Sequence, residues 1–225
     1  MALARWLSPA LALSVAAYGT VARPRLLRWG ATDEELAASF PGGALIAGGK
    51  RSATMAVTIE APPSRVWPWL VQMGCNHAGW YSWDRLDNRG VASAEHIHPE
   101  WQDVSVGEHL DSSPSGRVWF EVAAVEPERF LALRAPLDLR GRPFDTSGAR
   151  PRFFSDSLWA FRLEELPGQR TRLVVSGYAC SNPRVLTAAG DFVFWEPAHW
   201  VMQVRQFANL KRRIDREGEI PARAR

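Results

Sequence analysis

The chain has 225 residues, of which 46% are hydrophobic and 23% charged; this is the composition of a folded globular protein and excludes wholesale disorder. A net charge of +3 argues against a nucleic-acid partner, and two cysteines, Cys75 and Cys180, exclude a disulfide framework or a four-cysteine zinc site. Eleven tryptophans supply more flat apolar surface than a core of this size needs, which indicates a lined cavity or groove.

The N-terminal segment is apolar. Residues 7–22 are sixteen residues without a charge, and Arg23 opens a group of three arginines behind them. Three interpretations stay open: a helix lying against the domain or the membrane surface, a membrane anchor, or a signal peptide, although only Arg5 supplies the positive charge that a signal peptide carries before its apolar run. The arginines behind the run favour a cytoplasmic domain. We therefore expect a cytoplasmic protein, with or without a tether to the inner face of the membrane through residues 7–22.

The next segments predict a short helix, a strand and a second helix. Thr32 with Glu35 is a capping-box pattern that opens the short helix. Residues 54–60 alternate apolar and polar side chains, which is typical of a half-buried strand. Ser64 then predicts an N-cap for a helix over residues 65–73.

Two β-hairpins can be registered from the sequence. In the first, pairing Val125 with Phe130 gives one apolar face and places Glu121 opposite Arg134 on the other face. An ion pair between these two side chains is expected. The turn between them contains Pro127.

The second hairpin follows the same logic. The register that puts Trp159 opposite Gly177, where a glycine leaves room for the indole, also puts Glu164 opposite Arg172 as a cross-strand ion pair. Both hairpins therefore predict a twisted antiparallel sheet with a continuous apolar concave face.

A long C-terminal helix is predicted over residues 187–217. At 100° per residue its apolar side chains fall in one sector, which should face the sheet. Glu196, His199 and Gln203 lie in or beside that sector at spacing i, i+3 and i+7, so they share a face. The apolar sector comprises Phe192, Trp200, Val204, Phe207, Leu210 and Ile214.

The order of these elements resembles the START-like, or SRPBCC, superfamily, and in particular its bacterial polyketide cyclase/dehydrase and lipid-transport-like subgroup. The resemblance covers residues 53–217. It implies an α+β helix-grip fold, in which a curved antiparallel sheet wraps around the long C-terminal helix with an internal apolar cavity between them. The residues that carry the resemblance are Ala61-Pro62 at the end of the first strand, Val66-Trp67 and Leu70 in the helix, and Trp80 and Trp83 after it.

The resemblance also suggests a division of the chain. The expected parts are an apolar N-terminal segment (1–22), an extension (23–52), the helix-grip domain (53–217) and a C-terminal tail (218–225). Segments 80–87 and 137–152 would then surround the cavity mouth.

Glu196 and His199 are the candidate catalytic residues. A carboxylate in an apolar cavity has a raised pKa and can act as a general acid or base beside an imidazole. The alternative is that Pro197 marks a helix start or kink, Glu196 caps backbone N–H groups there, and His199 is partly exposed. In both interpretations these groups line the expected cavity.

Residues 80–84 form a dense aromatic segment. It is either a gate or stacking wall for a ring-containing or lipid-like ligand, with Tyr81 and Asp84 as polar handles, or core filling under a short helix. The candidate ligand-binding residues are Trp80, Tyr81, Trp83, Asp84, Phe120, Leu133, Trp159, Phe161, Trp200, Gln203 and Phe207.

Neither a metal nor a cofactor is expected. Glu95, His96 and His98 are close in sequence, but no further group at ligand spacing accompanies them. The sequence contains no glycine-rich phosphate loop, nucleophile elbow or dinucleotide fingerprint.

The preferred function is binding or carriage of a small, largely apolar ligand, lipid- or polyketide-like, in the internal cavity. The alternative is a cyclase, aromatase or dehydratase that acts on a polyketide-like substrate and moves protons with Glu196 and His199. A third hypothesis is an interaction module that uses the same groove for a protein partner. The identity of the ligand, the presence of turnover and the oligomeric state stay open.

Overall fold

The structure, a computed structural model, describes residues 2–219, so residues 220–225 of the predicted tail lie outside the described residues. The helices are α1 (Ala2–Ala17), α2 (Arg23–Leu27), α3 (Asp33–Ala37), α4 (Pro63–Val71), α5 (Asp84–Asp87), α6 (Arg184–Gly190) and α7 (Glu196–Glu219). The strands are β1 (Lys50–Arg51), β2 (Met55–Ile59), β3 (His109–Asp111), β4 (Trp119–Glu126), β5 (Phe130–Asp138), β6 (Phe154–Leu166) and β7 (Arg170–Asn182). Two π-helical turns, Tyr18–Ala22 and Asp191–Trp195, precede α2 and α7.

The strands form one open antiparallel sheet in the order β1-β7-β6-β5-β4-β3, with β2 beside β1 on the same edge of β7. The main core lies between one face of this sheet and the helices α4 and α7, where Phe207, Leu210 and Ile214 of α7 are buried. The expected helix-grip architecture, a sheet with a long C-terminal helix against it, is confirmed.

The register of the second hairpin is confirmed, but two of its expected contacts are wrong. Trp159 pairs with Gly177 and Glu164 with Arg172. A Cβ at Gly177 would lie 1.7 Å from the carbonyl oxygen of Leu158, so the glycine is needed for close backbone approach and not for the indole. The ion pair of Arg172 is made with Glu35 of α3, at 2.7 Å, and not with Glu164.

The predicted register of the first hairpin is correct only in the part of the two strands that is distant from the turn. Glu121 pairs with Arg134 as predicted, but a β-bulge shifts the pairing nearer the turn, where Glu126 and not Val125 lies opposite Phe130. Arg134 forms its ion pair with Asp156 of β6, at 2.7 Å. Burial of Asp156 explains this choice, since a buried carboxylate needs a cationic partner more than an accessible one does.

The extension at residues 23–52 packs against the opposite face of the sheet. The predicted capping box is present, with Thr32 and Glu35 bonded to each other's backbone N–H groups at the start of α3. Phe40 and Ile46 are buried there against Ala160 and other residues of the sheet, in a second apolar core. This layer therefore shields both the apolar outer face of the sheet and the Arg172–Glu35 ion pair.

The segment after α2 continues along the free edge of β2. The carbonyl oxygens of Leu27 and Trp29 accept hydrogen bonds from the N–H groups of Thr54 and Ala56. Gly30 follows with φ +71°, and a Cβ there would lie 2.1 Å from the carbonyl oxygen of Ala56. The extension thus completes the edge of the sheet.

Helix α4 begins two residues earlier than predicted. Its N-cap is Pro62 and its first residue is Pro63, so Ser64 lies inside the helix and the predicted N-cap is wrong. A proline suits the first position because its fixed φ is helical and its missing N–H would have no partner there.

The predicted C-terminal helix is continuous from Arg184 to Glu219, through α6, the π-helical turn and α7. Each of the two π-helical turns lies just before a proline, Pro197 here and Pro24 in the N-terminal helices. A proline cannot donate to the carbonyl four residues back and collides with it, so the helix widens at that point. Pro197 therefore marks neither a helix start nor a break.

Within residues 2–219, no helix combines the length and the apolar character needed to cross a bilayer.

Candidate functional site

Four aromatic side chains meet on the core side of the sheet, and we call them the aromatic cluster: Trp80, Phe120 of β4, and Trp159 and Phe161 of β6. The Trp80 ring centroid lies 5.3 Å from that of Phe120 and 5.6 Å from that of Trp159. Trp159 in turn lies 4.8 Å from Phe161. These are direct ring contacts, so the rings themselves fill space that the sequence analysis assigned to a cavity.

A chain of hydrogen bonds ties the aromatic cluster to α7. The indole N–H of Trp159 donates to Oε1 of Gln203 at 3.1 Å. Gln203 donates to Oε1 of Gln206 at 2.8 Å, and Gln206 donates to the carbonyl oxygen of Trp80 at 2.9 Å. Gln203 is only 2% exposed, so this chain is a buried polar path with matched donors and acceptors.

His199 and Trp200 lie one turn nearer the start of α7. The imidazole of His199 meets the Trp159 ring edge-on, with centroids 6.2 Å apart. Burial lowers the pKa of His199 to about 4, so the imidazole is neutral at pH 7. The indole N–H of Trp200 is buried and has no hydrogen-bond partner among the described residues. This part of α7 therefore presents a neutral imidazole and an unpaired donor.

Glu196 occupies a different environment from the one expected. Its two carboxylate oxygens accept hydrogen bonds from Nε and Nη2 of Arg23, at 2.5 and 2.7 Å. The same hydrogen bonds raise the pKa of Arg23. Glu196 thus binds the N-terminal helices to the start of α7, and the structure brings it into no contact with the aromatic cluster.

Tyr81 lies elsewhere in the core. It is fully buried with φ +57°, and its hydroxyl accepts a hydrogen bond from Gln72 at 2.7 Å. Burial raises the pKa of this phenol well above its usual value. Tyr81 therefore positions the 80–95 loop instead of facing the aromatic cluster.

The residues that hold this loop were missed by the sequence analysis. Asn209 donates to the carbonyl oxygen of Tyr81 at 2.8 Å, and Arg213 donates to that of Ala94 at 2.8 Å. Gln206, Asn209 and Arg213 are spaced i, i+3 and i+7, which repeats the pattern of Glu196, His199 and Gln203. That repetition of buried polar residues beside the apolar sector was the signal that could have found them.

Trp83 and Asp84 lie at a separate surface groove of about 330 Å³. Trp83 is partly exposed, and the guanidinium of Arg205 lies 5.0 Å from the centre of its ring. Asp84 accepts a hydrogen bond from Ser93 at 2.6 Å. The remaining predicted ligand-binding residues, Leu133 and Phe207, are buried in the main core.

A second concavity of about 450 Å³ lies on the opposite face of the sheet. Its floor is formed by Trp119, on which the ring of His109 stacks at 3.7 Å. Residues 143–147 form one wall. That part of the 137–152 connection therefore lies away from the aromatic cluster, contrary to the expected position at a cavity mouth.

Among residues 2–219, no group of three or more histidine, cysteine or acidic side chains converges as a metal site. Glu95 forms an ion pair with Arg213, and Nδ1 of His98 lies 3.3 Å from a carboxylate oxygen of Glu100. Burial raises the pKa of the Cys75 thiol to about 11, which makes it a poor nucleophile at neutral pH.

No protein-family model matches the chain, and no curated protein matches it. Solved structures do align with it. MLL2253 from Mesorhizobium loti is 21% identical over 72% of this chain and 97% of its own, with a TM-score of 0.38. CalU16 from Micromonospora echinospora is 17% identical over 75% of this chain and 86% of its own, with a TM-score of 0.35. A protein from Nitrosospira multiformis is 13% identical over 76% of this chain and 100% of its own, with a TM-score of 0.42. Sequence identities of 21% or less with TM-scores below 0.5 assign no function to this chain.

Proposed function

We propose that the protein binds a small, largely apolar ligand between the aromatic cluster and the first half of α7. The observation that carries this proposal is the indole N–H of Trp200, which is buried without an acceptor. A buried donor without a partner costs about 1–3 kcal/mol. A ligand with a carbonyl or ester oxygen placed there would recover that energy, while its apolar part packs on the rings.

The cluster suits a flat ligand in particular. Trp159, Phe120 and Trp200 are half-buried, so this part of the core reaches the surface. The rings contact one another edge-on or tilted, and a planar molecule could take the contacts that they now give each other. A polyketide-like ring system with carbonyl groups combines both requirements, and so it is our preferred ligand class.

Isothermal titration with a hydroxyanthraquinone, a flat three-ring molecule with two carbonyl acceptors, tests this proposal. Wild-type protein should bind it, and Trp200→Phe should bind about tenfold more weakly because the ring is kept but the donor is lost. Trp83→Phe is the matched control, since Trp83 lies at the separate groove, and it should bind as the wild type does. Equal affinity in wild type and Trp200→Phe would overturn the proposed site.

Proton transfer on a bound substrate is the second candidate function, and His199 favours it. Its imidazole lies edge-on against Trp159, within reach of a ligand held at the cluster. A linear poly-β-ketone, analysed by mass spectrometry for cyclised or dehydrated products, tests this function. Wild-type protein should convert it and His199→Asn should not, although both bind the hydroxyanthraquinone. Equal conversion by both proteins would assign His199 no role.

A further inference from the structure

From Pro9 to Ala17, helix α1 carries apolar side chains on nearly all sides and is exposed. Every residue from Pro9 to Ala17 is exposed, and Leu13 is 72% exposed. A helix without a polar face is normally buried in a protein core or in lipid. Among the described residues, no apolar group buries residues 9–17 of this helix.

A second exposed apolar surface lies beside the end of this helix. Phe194 and Trp195, 60% and 64% exposed, lie in edge contact on the π-helical turn before α7. Tyr18 contacts Phe192 of the same turn, through a hydrogen bond of 3.1 Å from its hydroxyl to the Phe192 carbonyl and through an edge-on ring contact.

These contacts also give the relative direction of the two helices. Tyr18 contacts Phe192, and further along both segments Arg23 contacts Glu196, so the N-terminal helices run parallel to α6 and α7. Residues 9–17 and 193–195 adjoin the contact between Tyr18 and Phe192, and we call these two segments together the apolar end.

Two hydroxyl groups in and next to the apolar end form hydrogen bonds within their own helix. The hydroxyl of Ser14 donates to the carbonyl of Ala10 at 2.9 Å, and that of Thr20 donates to Ala16 at 2.7 Å. Such bonds four residues back satisfy a hydroxyl without water, as hydrocarbon requires.

Positive charge predominates at this end, where Asp191 on the π-helical turn and Glu196 after it are the acidic residues. Residues 1–32 contain four arginines and no acidic residue. Arg23 is already paired with Glu196. Arg25 and Arg184 are exposed and form no ion pair among the described residues. Both lie next to exposed apolar side chains, where they could meet phosphate groups.

We infer that the apolar end binds a lipid bilayer that contains anionic lipid. Helix α1 enters the apolar layer, Phe194 and Trp195 lie at the interface where aromatic side chains are favoured, and Arg25 and Arg184 contact the headgroups. A bilayer suits this end better than a protein groove, because a groove covers one side of a helix whereas residues 9–17 are apolar on nearly all sides. The inference does not depend on the ligand site.

Flotation of the full chain with vesicles tests this inference. The vesicles contain phosphatidylcholine with one quarter phosphatidylglycerol, or phosphatidylcholine alone. Wild-type protein should float with the anionic vesicles and less with the neutral ones, and added salt should reduce its binding. The doubly substituted L13D/V15D protein should bind about tenfold more weakly, and Trp195→Ala several fold more weakly.

Leu86→Asp is the matched control, because Leu86 is an equally exposed apolar residue on α5, outside the apolar end. It should float as the wild type does. Far-ultraviolet circular dichroism of each variant verifies that it is folded. Wild-type protein that stays unbound with anionic vesicles, L13D/V15D protein that still floats, or a dimer that L13D/V15D dissociates while lipid has no effect would each overturn the inference.

Discussion

Two tryptophans at the interface of α7 and the sheet differ in one respect. The indole N–H of Trp159 has an acceptor in Gln203, whereas that of Trp200 is buried without one. Substitution by phenylalanine removes similar volume at both positions, so the difference between the two variants reports the hydrogen bond.

Trp159→Phe should therefore cost about 1–3 kcal/mol more free energy of unfolding than Trp200→Phe, because it leaves the Gln203 oxygen buried without a donor. Urea denaturation of the ligand-free variants measures this difference. Equal losses of stability in the two variants would show that Trp200 is not an unpaired donor.

His199 makes stability depend on pH. Its pKa is about 4 in the folded chain and 6.5 in a free imidazole, so the unfolded chain binds a proton first as the pH falls. The stabilising effect of the neutral imidazole is complete above pH 6.5 and is lost as the pH falls to about 4. Between pH 7 and pH 5, wild-type protein should lose about 1–2 kcal/mol more than His199→Leu, measured by urea denaturation. The same loss in both proteins would contradict the lowered pKa.

At the scale of elements, an ion pair joins α3 to β7. Glu35 and Arg172 are both largely buried in it, and Arg172 also donates to the carbonyl oxygen of Gly30 at 2.7 Å. Glu164, the partner expected from the hairpin register, is 47% exposed at its side chain and pairs with Arg162.

Glu35→Gln should lower the free energy of unfolding by about 1–3 kcal/mol, since a buried guanidinium loses its charged partner. Glu164→Gln should change it by less than about 0.5 kcal/mol, because exposed pairs contribute little. Thermal or urea denaturation compares the two variants. A larger effect at Glu164 would favour the cross-strand pair over the one in the structure.

The same elements show how far the sequence predicts the fold. Alternation of apolar residues was enough to register β6 with β7, because shifting a strand by one residue would expose its whole apolar face. It could not predict the bulge in β4, where the chain inserts a residue without changing which face is apolar. It also could not predict that Arg172 and Arg134 pair with residues from other elements, since a register contains only two strands.

At the scale of the molecule, the extension is expected to be part of the folded domain. Phe40 and Ile46 are buried against the sheet, and burial of each contributes about 1.5–3 kcal/mol. A chain that begins at Tyr18 should keep the stability of the full chain, because α1 is exposed from Pro9 onward. A chain that begins at residue 53, the predicted boundary, should lose at least about 3 kcal/mol. Urea denaturation of both truncations measures this, and equal stability would confirm the predicted boundary instead.

The candidate site was predicted only in part. Phe120, Trp159, Phe161 and Gln203 come together because they lie on the apolar face of the sheet or of α7, and periodicity identifies such faces. Trp80 reaches them from the loop between α4 and α5. The positions of Glu196 and Tyr81 depend on the N-terminal helices and on the loop between α4 and α5. Contacts of that kind leave no periodic pattern in the sequence.

The central claim, that an apolar ligand with an acceptor oxygen binds between the aromatic cluster and α7, is tested most directly by the indole N–H resonances of ¹⁵N-labelled protein. Variants with single Trp→Phe substitutions assign the resonances of Trp200, Trp159 and Trp83. When hydroxyanthraquinone is added, the resonances of Trp200 and Trp159 should shift together and saturate, while that of Trp83 stays in place. Resonances of Trp200 and Trp159 that do not move, or a shift confined to Trp83 or Trp195, would contradict the account.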